Sequence, residues 1–274
     1  MKIIKILILP FLFSLFLVGI FYFFGESLIS HGLSKEEVIV TQPVIKYEIP
    51  ESVRIPILIY HHIREFSSKD SENNRTFIVP ESDFKNQMDY LKENGYTSLT
   101  FEDFKGVFAG KKRLPEKPVV ITFDDGLKTQ FESAYPVLKE NHQKAVFFIF
   151  TNPISRSENY MTWDDLKEMK EYGMEVGSHG HYHSNFTKLV TEKEWEREIN
   201  KNRELIKENL GEYPDSLAYP FGAYNDNVIQ YIKENDYEFA RAITHGKVHT
   251  QKDFYNLDGY FITSDFNYFK NIVN

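Results

Sequence analysis

Two stretches of this chain hold side chains that could do chemistry together. In 119-VVITFDDGL-127 an apolar run stops at two adjacent carboxylates, Asp124 and Asp125. In 176-VGSHGHYHSNF-186 three of the nine histidines fall within five residues, at His179, His181 and His183. Two carboxylates at the mouth of a buried strand repel each other if both are close and dry, and a cation beside them removes the repulsion. Asp-Gly is equally a common turn dipeptide, so this stretch alone reads as a turn or as a site. His179 and His183 are spaced i, i+4. On a helical turn that spacing sets both imidazoles on one face, and it is a usual spacing for two ligands of one metal ion. His181 would point elsewhere on such a turn. An isolated His-x-His-x-His is most simply a surface tract, but here it follows an apolar run that ends in Gly177-Ser178. One carboxylate and two imidazoles form a 2-His-1-carboxylate set with open positions, the kind that catalytic metal sites keep for water.

The elements that must position these residues follow from the pattern after Ile55. Short apolar runs occur at 56–61, 97–101, 118–123, 144–150, 174–179, 216–221 and 239–244. Helical candidates lie between them, at 81–94, 102–109, 128–141, 163–172, 192–210 and 226–235. Thr162 followed by Asp165, and Thr191 followed by Glu194, have the form of capping boxes. Gly95, Gly173 and Gly211 sit where helices should stop. Strand–helix alternation at this spacing implies parallel strands with helices packed outside. The prediction is an α/β fold, a distorted (β/α) barrel of about seven parallel strands over residues 53–274. Barrel sites gather at the carboxyl ends of strands. The residues expected there are His61, Asp124, Asp125, His179, Tyr219 and Phe221.

Residues 6–24, ILILPFLFSLFLVGIFYFF, carry no charge and are about long enough to cross a bilayer as a helix. Lys2 and Lys5 precede them, which favours placing the rest of the chain outside the cell. A cleaved signal peptide is the alternative, although Gly25-Glu26-Ser27-Leu28-Ile29-Ser30 does not match an A-x-A cleavage pattern. The expectation is a transmembrane helix within 1–24, a tether over 25–52, and a domain held outside at the cell membrane, or secreted if the segment is cleaved. The absence of cysteine excludes disulfides, a thiolate metal site and a lipidated anchor. The net charge is −8, and beyond residue 24 there are 30 basic against 40 acidic residues. Nothing is basic enough to point to nucleic acid.

At this point the chain resembles a family. Thr122-Phe123-Asp124-Asp125-Gly126 matches the first motif of the polysaccharide deacetylases, also called carbohydrate esterase family four or the NodB-homology domain. Gly177-Ser178-His179-x-x-x-His183 matches the second motif, and Tyr219-Pro220-Phe221-Gly222 resembles the third. The resemblance runs from about Ile55 to the end of the chain. It implies a metal-dependent hydrolase acting on an N-acetylated glycan polymer. Asp125, His179 and His183 would bind one divalent ion, zinc with cobalt or nickel as alternatives, and Asp124 would be the general base. A backbone N–H near Tyr219 to Phe221 would face the oxyanion, with both residues beside the substrate.

The chain also departs from the commonest pattern. Many relatives take the general acid from a histidine in a Leu-x-His motif near the carboxyl terminus. Here only His245 and His249 follow His183, and neither has that context. Instead 56-PILIYHHI-63 resembles the amino-terminal strand of the poly-β-1,6-N-acetylglucosamine deacetylases that modify biofilm exopolysaccharide. In that branch the histidine after the tyrosine supplies the acid, so the role falls to His61. His62 should face the other way on a strand. The bland reading of both is a satisfied histidine at a strand end. Relatives with Arg-x-Pro-Tyr use the arginine to orient the base, and that position here is Ala218 or Tyr219. Gly259 stands where similar chains carry an arginine, which leaves Arg241 as a substitute that sequence cannot place. Peptidoglycan or chitin-like oligomers are the alternative substrates. A different class is a glycan-binding module without activity: the missing arginine points mildly to it, and the retained Asp124, Asp125, His179, His183 and His61 argue against it. A surface metal store would make His181 matter as much as His179.

Overall fold

The seven apolar runs become strands of one parallel sheet, joined by an eighth at Tyr260–Phe261 that lies outside those runs. In chain order these are β1 (Ile57–Tyr60), β2 (Thr97–Leu99), β3 (Pro118–Phe123), β4 (Val146–Ile149), β5 (Glu175–Ser178), β6 (Ser216–Ala218), β7 (Phe239–Arg241) and β8 (Tyr260–Phe261). The order across the sheet is β7-β6-β5-β4-β3-β1-β8, and β2 pairs with the first half of β3. Every pairing is parallel. The two ends approach each other through one segment. Leu257 bonds with Ala240 and Ala242 beside β7, and three residues later β8 pairs with β1. The result is the expected distorted barrel. The computed structural model describes residues 46–274. The expected membrane segment at 6–24, and the tether as far as residue 45, lie outside the described residues. Among the described residues no helix is long and apolar enough to cross a membrane.

Parallel strands are covered on both faces, so their residues are apolar almost without interruption. All six residues of β3 are buried. Their alternation still sorts them. Val119, Ile121 and Phe123 join the core under the outer helices, while Val120 joins an inner core with Ile57, Val146, Phe148, Ala218 and Phe239. Helix α2 (Phe101–Phe108) contributes Phe101 and Phe104 to that inner core.

Helix ends follow local chemistry. Thr162 caps α4 (Trp163–Tyr172) and Thr191 caps α5 (Glu192–Leu210), each as a complete capping box. Gly173 and Gly211 end those helices in the left-handed conformation. The other long helices among the described residues are α1 (Glu81–Glu93), α3 (Gln130–Glu140), α6 (Asp226–Glu234) and α7 (Phe266–Val273). Within α5, residues Glu196–Asn200 form a π-helical turn that periodicity did not reveal.

Candidate active site

β3 ends by turning sharply. Asp125 has φ +79 and Gly126 φ +75, so the two carboxylates leave the strand in different directions. Asp125 turns toward the histidines. Its Oδ1 lies 3.7 Å from His179 Nε2 and 3.5 Å from His183 Nε2. The two Nε2 atoms are 3.2 Å apart. His179 follows β5 directly, but residues 179–183 are not a helical turn as their spacing predicts. They form a loop in which Gly180 and His183 both have positive φ, +83 and +59. The loop folds His183 back over His179, so the i, i+4 pair converges without a helix.

The donor set fits a cation. A carbonyl oxygen only accepts, so the 2.7 Å contact between His179 Nδ1 and Ala218 O places the proton on Nδ1. That leaves the Nε2 lone pair facing the triad, and such an outer partner orients a ligating imidazole. Burial lowers the pKa of His179 and of His183 to about 4, so both are neutral near pH 7. Asp125 Oδ1 is buried without a hydrogen-bond partner. Burial, with Asp124 beside it, raises Asp125 to about 7. A cation among these three groups would reverse that shift and satisfy the orphaned oxygen.

Asp124 turns the other way, into the barrel, and meets Arg241. The guanidinium donates from Nη2 to Asp124 Oδ1. Arg241 is completely buried and its Cζ lies 5.4 Å from the centre of the Phe148 ring. Arg241 is on β7, two residues after Phe239 on the same inner face. The path is open because of Gly259, where a Cβ would come within 2.7 Å of Ile59 Cδ1 and 3.0 Å of Arg241 Cδ. Burial alone would raise the pKa of Asp124, but Arg241, then His179 and His61, outweigh it and hold the carboxyl below its ordinary value.

His61 closes the third side, with Nε2 3.9 Å from Asp124 Oδ2. Its ring lies between Phe77 and Phe261, at 5.0 and 5.4 Å. Gln130 donates to the backbone oxygens of both His61 and Asp124, tying the two strand ends together. Burial lowers His61 to about 4.

Tyr219 and Phe221 are placed differently from each other. The Tyr219 ring is in the core and its hydroxyl donates to Tyr255 O at 2.7 Å, so the side chain does not reach the mouth. Its N–H is used by Arg241 O. Phe221 has φ +60, is 64% exposed, and packs its ring 4.7 Å from His183. Pro220 has no N–H, the Gly222 N–H is taken by Tyr219 O, and the Ala223 N–H by Pro220 O. His181 bonds Thr151 Oγ1 through Nδ1 and stays outside the triad. His249 bonds Ile55 O in the core, and His245 packs on Tyr260.

Residues 111–240 match the family model described as polysaccharide deacetylase. A Bacillus subtilis protein named as a polysaccharide deacetylase, YxkH, is 29% identical over 79% of this chain and 74% of its own length. The poly-β-1,6-N-acetyl-D-glucosamine N-deacetylase of Staphylococcus epidermidis is 28% identical over 81% of this chain and 82% of its own. Among solved structures, the Streptococcus pyogenes deacetylase PplD, in complex with acetate, superposes with a TM-score of 0.71. It is 26% identical, over 78% of this chain and 94% of that one.

Proposed function

We propose, from the premise that this chain belongs to the polysaccharide deacetylase family, that it removes N-acetyl groups from poly-β-1,6-N-acetylglucosamine outside the cell. The observation that carries this reading is a convergent triad, Asp125–His179–His183, set against an Asp124 that Arg241 keeps ionised. The choice of polymer is supported by the likeness to the S. epidermidis enzyme of that specificity and by the Tyr60-His61 strand end. Residues 6–24 anchor the chain in this reading, with Lys2 and Lys5 on the cytoplasmic side.

A divalent ion held by Asp125, His179 and His183, zinc with cobalt or nickel as alternatives, would supply Lewis acidity to the amide carbonyl and the attacking water. Asp124 accepts the proton of that water on Oδ2, while Arg241 holds Oδ1 and so fixes the carboxylate plane. The Phe221 N–H donates to the oxygen on which charge develops. His61 delivers a proton to the leaving amine. Asp124 Oδ2 is 3.9 Å from His61 Nε2, so the proton taken from water has a short route to that amine. Phe77, Phe261 and Phe221 wall the mouth and offer apolar faces to a sugar ring.

The test incubates the full chain with acetylated β-1,6-glucosamine oligomers, with and without chelator, and records released acetate. Chelator-sensitive release restored by zinc or cobalt is expected. Release only from peptidoglycan or chitin oligomers would keep the enzyme and change its substrate. No release from any of them, with metal bound, would leave a glycan-binding module.

A further inference from the structure

One fully buried carboxylate has no part in the chemistry above. Glu198 has no exposed surface and sits in the π-helical turn of α5. Its Oε2 accepts the Tyr182 N–H at 3.0 Å, and its Oε1 accepts the Ser184 hydroxyl at 2.7 Å. These two donors bracket His183, which has φ +59. A side chain in the left-handed region persists only where its surroundings hold it there. The rest of the loop is held from the same helix. Asn202, four residues after Glu198, donates to Gly180 O and to Ile149 O. Gly180 leaves the room this needs, since a Cβ there would lie 3.1 Å from Phe186 Cε1 and 3.3 Å from Glu198 Oε2. A π turn widens the helix by one residue, as such turns often do beside functional sites.

We propose that Glu198 is a positioning residue for the metal site: it clamps the peptide on both sides of His183 and so holds that imidazole against His179 and Asp125. The inference rests on the metal-binding reading of the triad. A carboxylate suits the task because both groups facing it are donors and it only accepts. Without the clamp, His183 relaxes out of its left-handed conformation and its Nε2 leaves the triad.

The experiment measures the Zn²⁺ dissociation constant of the full chain by chelator competition, and the unfolding temperature of the metal-free chain, for wild type, Glu198→Ala, Glu198→Gln and Ser184→Ala. Glu198→Ala is expected to weaken Zn²⁺ binding by about 10- to 100-fold, the usual cost of losing an outer partner of a ligand. Glu198→Gln recovers most of it, because its amide can accept from Tyr182 N–H and donate to Ser184 Oγ. Ser184→Ala falls between them. A merely structural role would lower the unfolding temperature and leave the Zn²⁺ constant alone. A folded Glu198→Ala chain that binds Zn²⁺ as tightly as wild type overturns the proposal. If that variant does not fold, an unchanged Zn²⁺ constant in Ser184→Ala overturns it instead. A wild-type chain that binds none of Zn²⁺, Co²⁺ and Ni²⁺ would defeat the metal reading itself, which is a separate failure.

Discussion

Asp124 and Glu175 are two carboxylates at opposite ends of the same sheet, the first buried and the second half-buried. Asp124 lies just past the carboxyl end of β3, and Glu175 opens β5 at the amino end. Burial pushes the pKa of both upward. Asp124 nevertheless ends below its ordinary value, because a full positive charge on Arg241 touches it. Glu175 has neutral donors, the Ser216 hydroxyl at 2.8 Å and the Glu102 N–H at 3.1 Å, and rises to about 7. Hydrogen bonds from neutral donors do not offset desolvation and the neighbouring Asp215 charge at Glu175, whereas an ion partner offsets burial at Asp124. The barrel therefore places its ionised acid where a base is needed and lets the other drift toward neutrality where none is.

The comparison can be broken most decisively at Asp124. Asp124→Asn keeps the shape and removes the proton acceptor, so acetate release should fall by about 10²- to 10⁴-fold with Zn²⁺ still bound. Near-wild-type turnover would remove Asp124 from the role of base. Arg241→Met is next. It strands a buried charge, for which the loss is about 3–5 kcal/mol, measurable by denaturant unfolding, and kcat should fall more than KM rises. If stability and turnover both hold, Arg241 is not what keeps Asp124 ionised. Gly259→Ala presses a Cβ on Ile59 and Arg241 without touching Asp124. Overpacking of this kind costs about 1–3 kcal/mol, and a milder drop in kcat should accompany it.

The smallest effect belongs to Glu175. Its folded pKa is raised from 4.5 to about 7, so the folded state binds more protons than the unfolded state between those values. Its contribution to stability is therefore complete below pH 4.5 and lost as pH rises through about 7. Glu175→Gln should flatten that decline in unfolding free energy. An identical pH profile in the variant would mean that Glu175 is solvated after all.

Much of this was legible because its signals are local. The capping boxes at Thr162 and Thr191, the stops at Gly173 and Gly211, and the apolar runs each lie within a few residues of what they specify. Asp124, Asp125, His179 and His183 were legible as chemical types at strand ends. The conformation of the histidine loop was not, because Glu198 and Asn202 impose it from 14 or more residues away. Arg241 stands 117 residues from Asp124, and only the gap at Gly259 hinted that another arginine was required. The side of the strand taken by Tyr219 was readable in principle. Strand alternation puts it with Leu217 in the outer cluster, leaving Ala218 to offer its carbonyl to His179. The last helix, Phe266–Val273, is eight residues long and was missed.

Gly259 and Arg241 also constrain the order in which such a site can change. A side chain at 259 and a long one at 241 compete for one space, so an arginine gained at 241 before the glycine is in place meets an occupied path. Losing a bulky residue at 259 first opens a void and, if that residue held the base, leaves Asp124 without its countercharge. Each single step is worse than either end point, which makes the two positions a pair with reciprocal sign epistasis. Transplanting the arginine between them should therefore succeed only when both substitutions are made together.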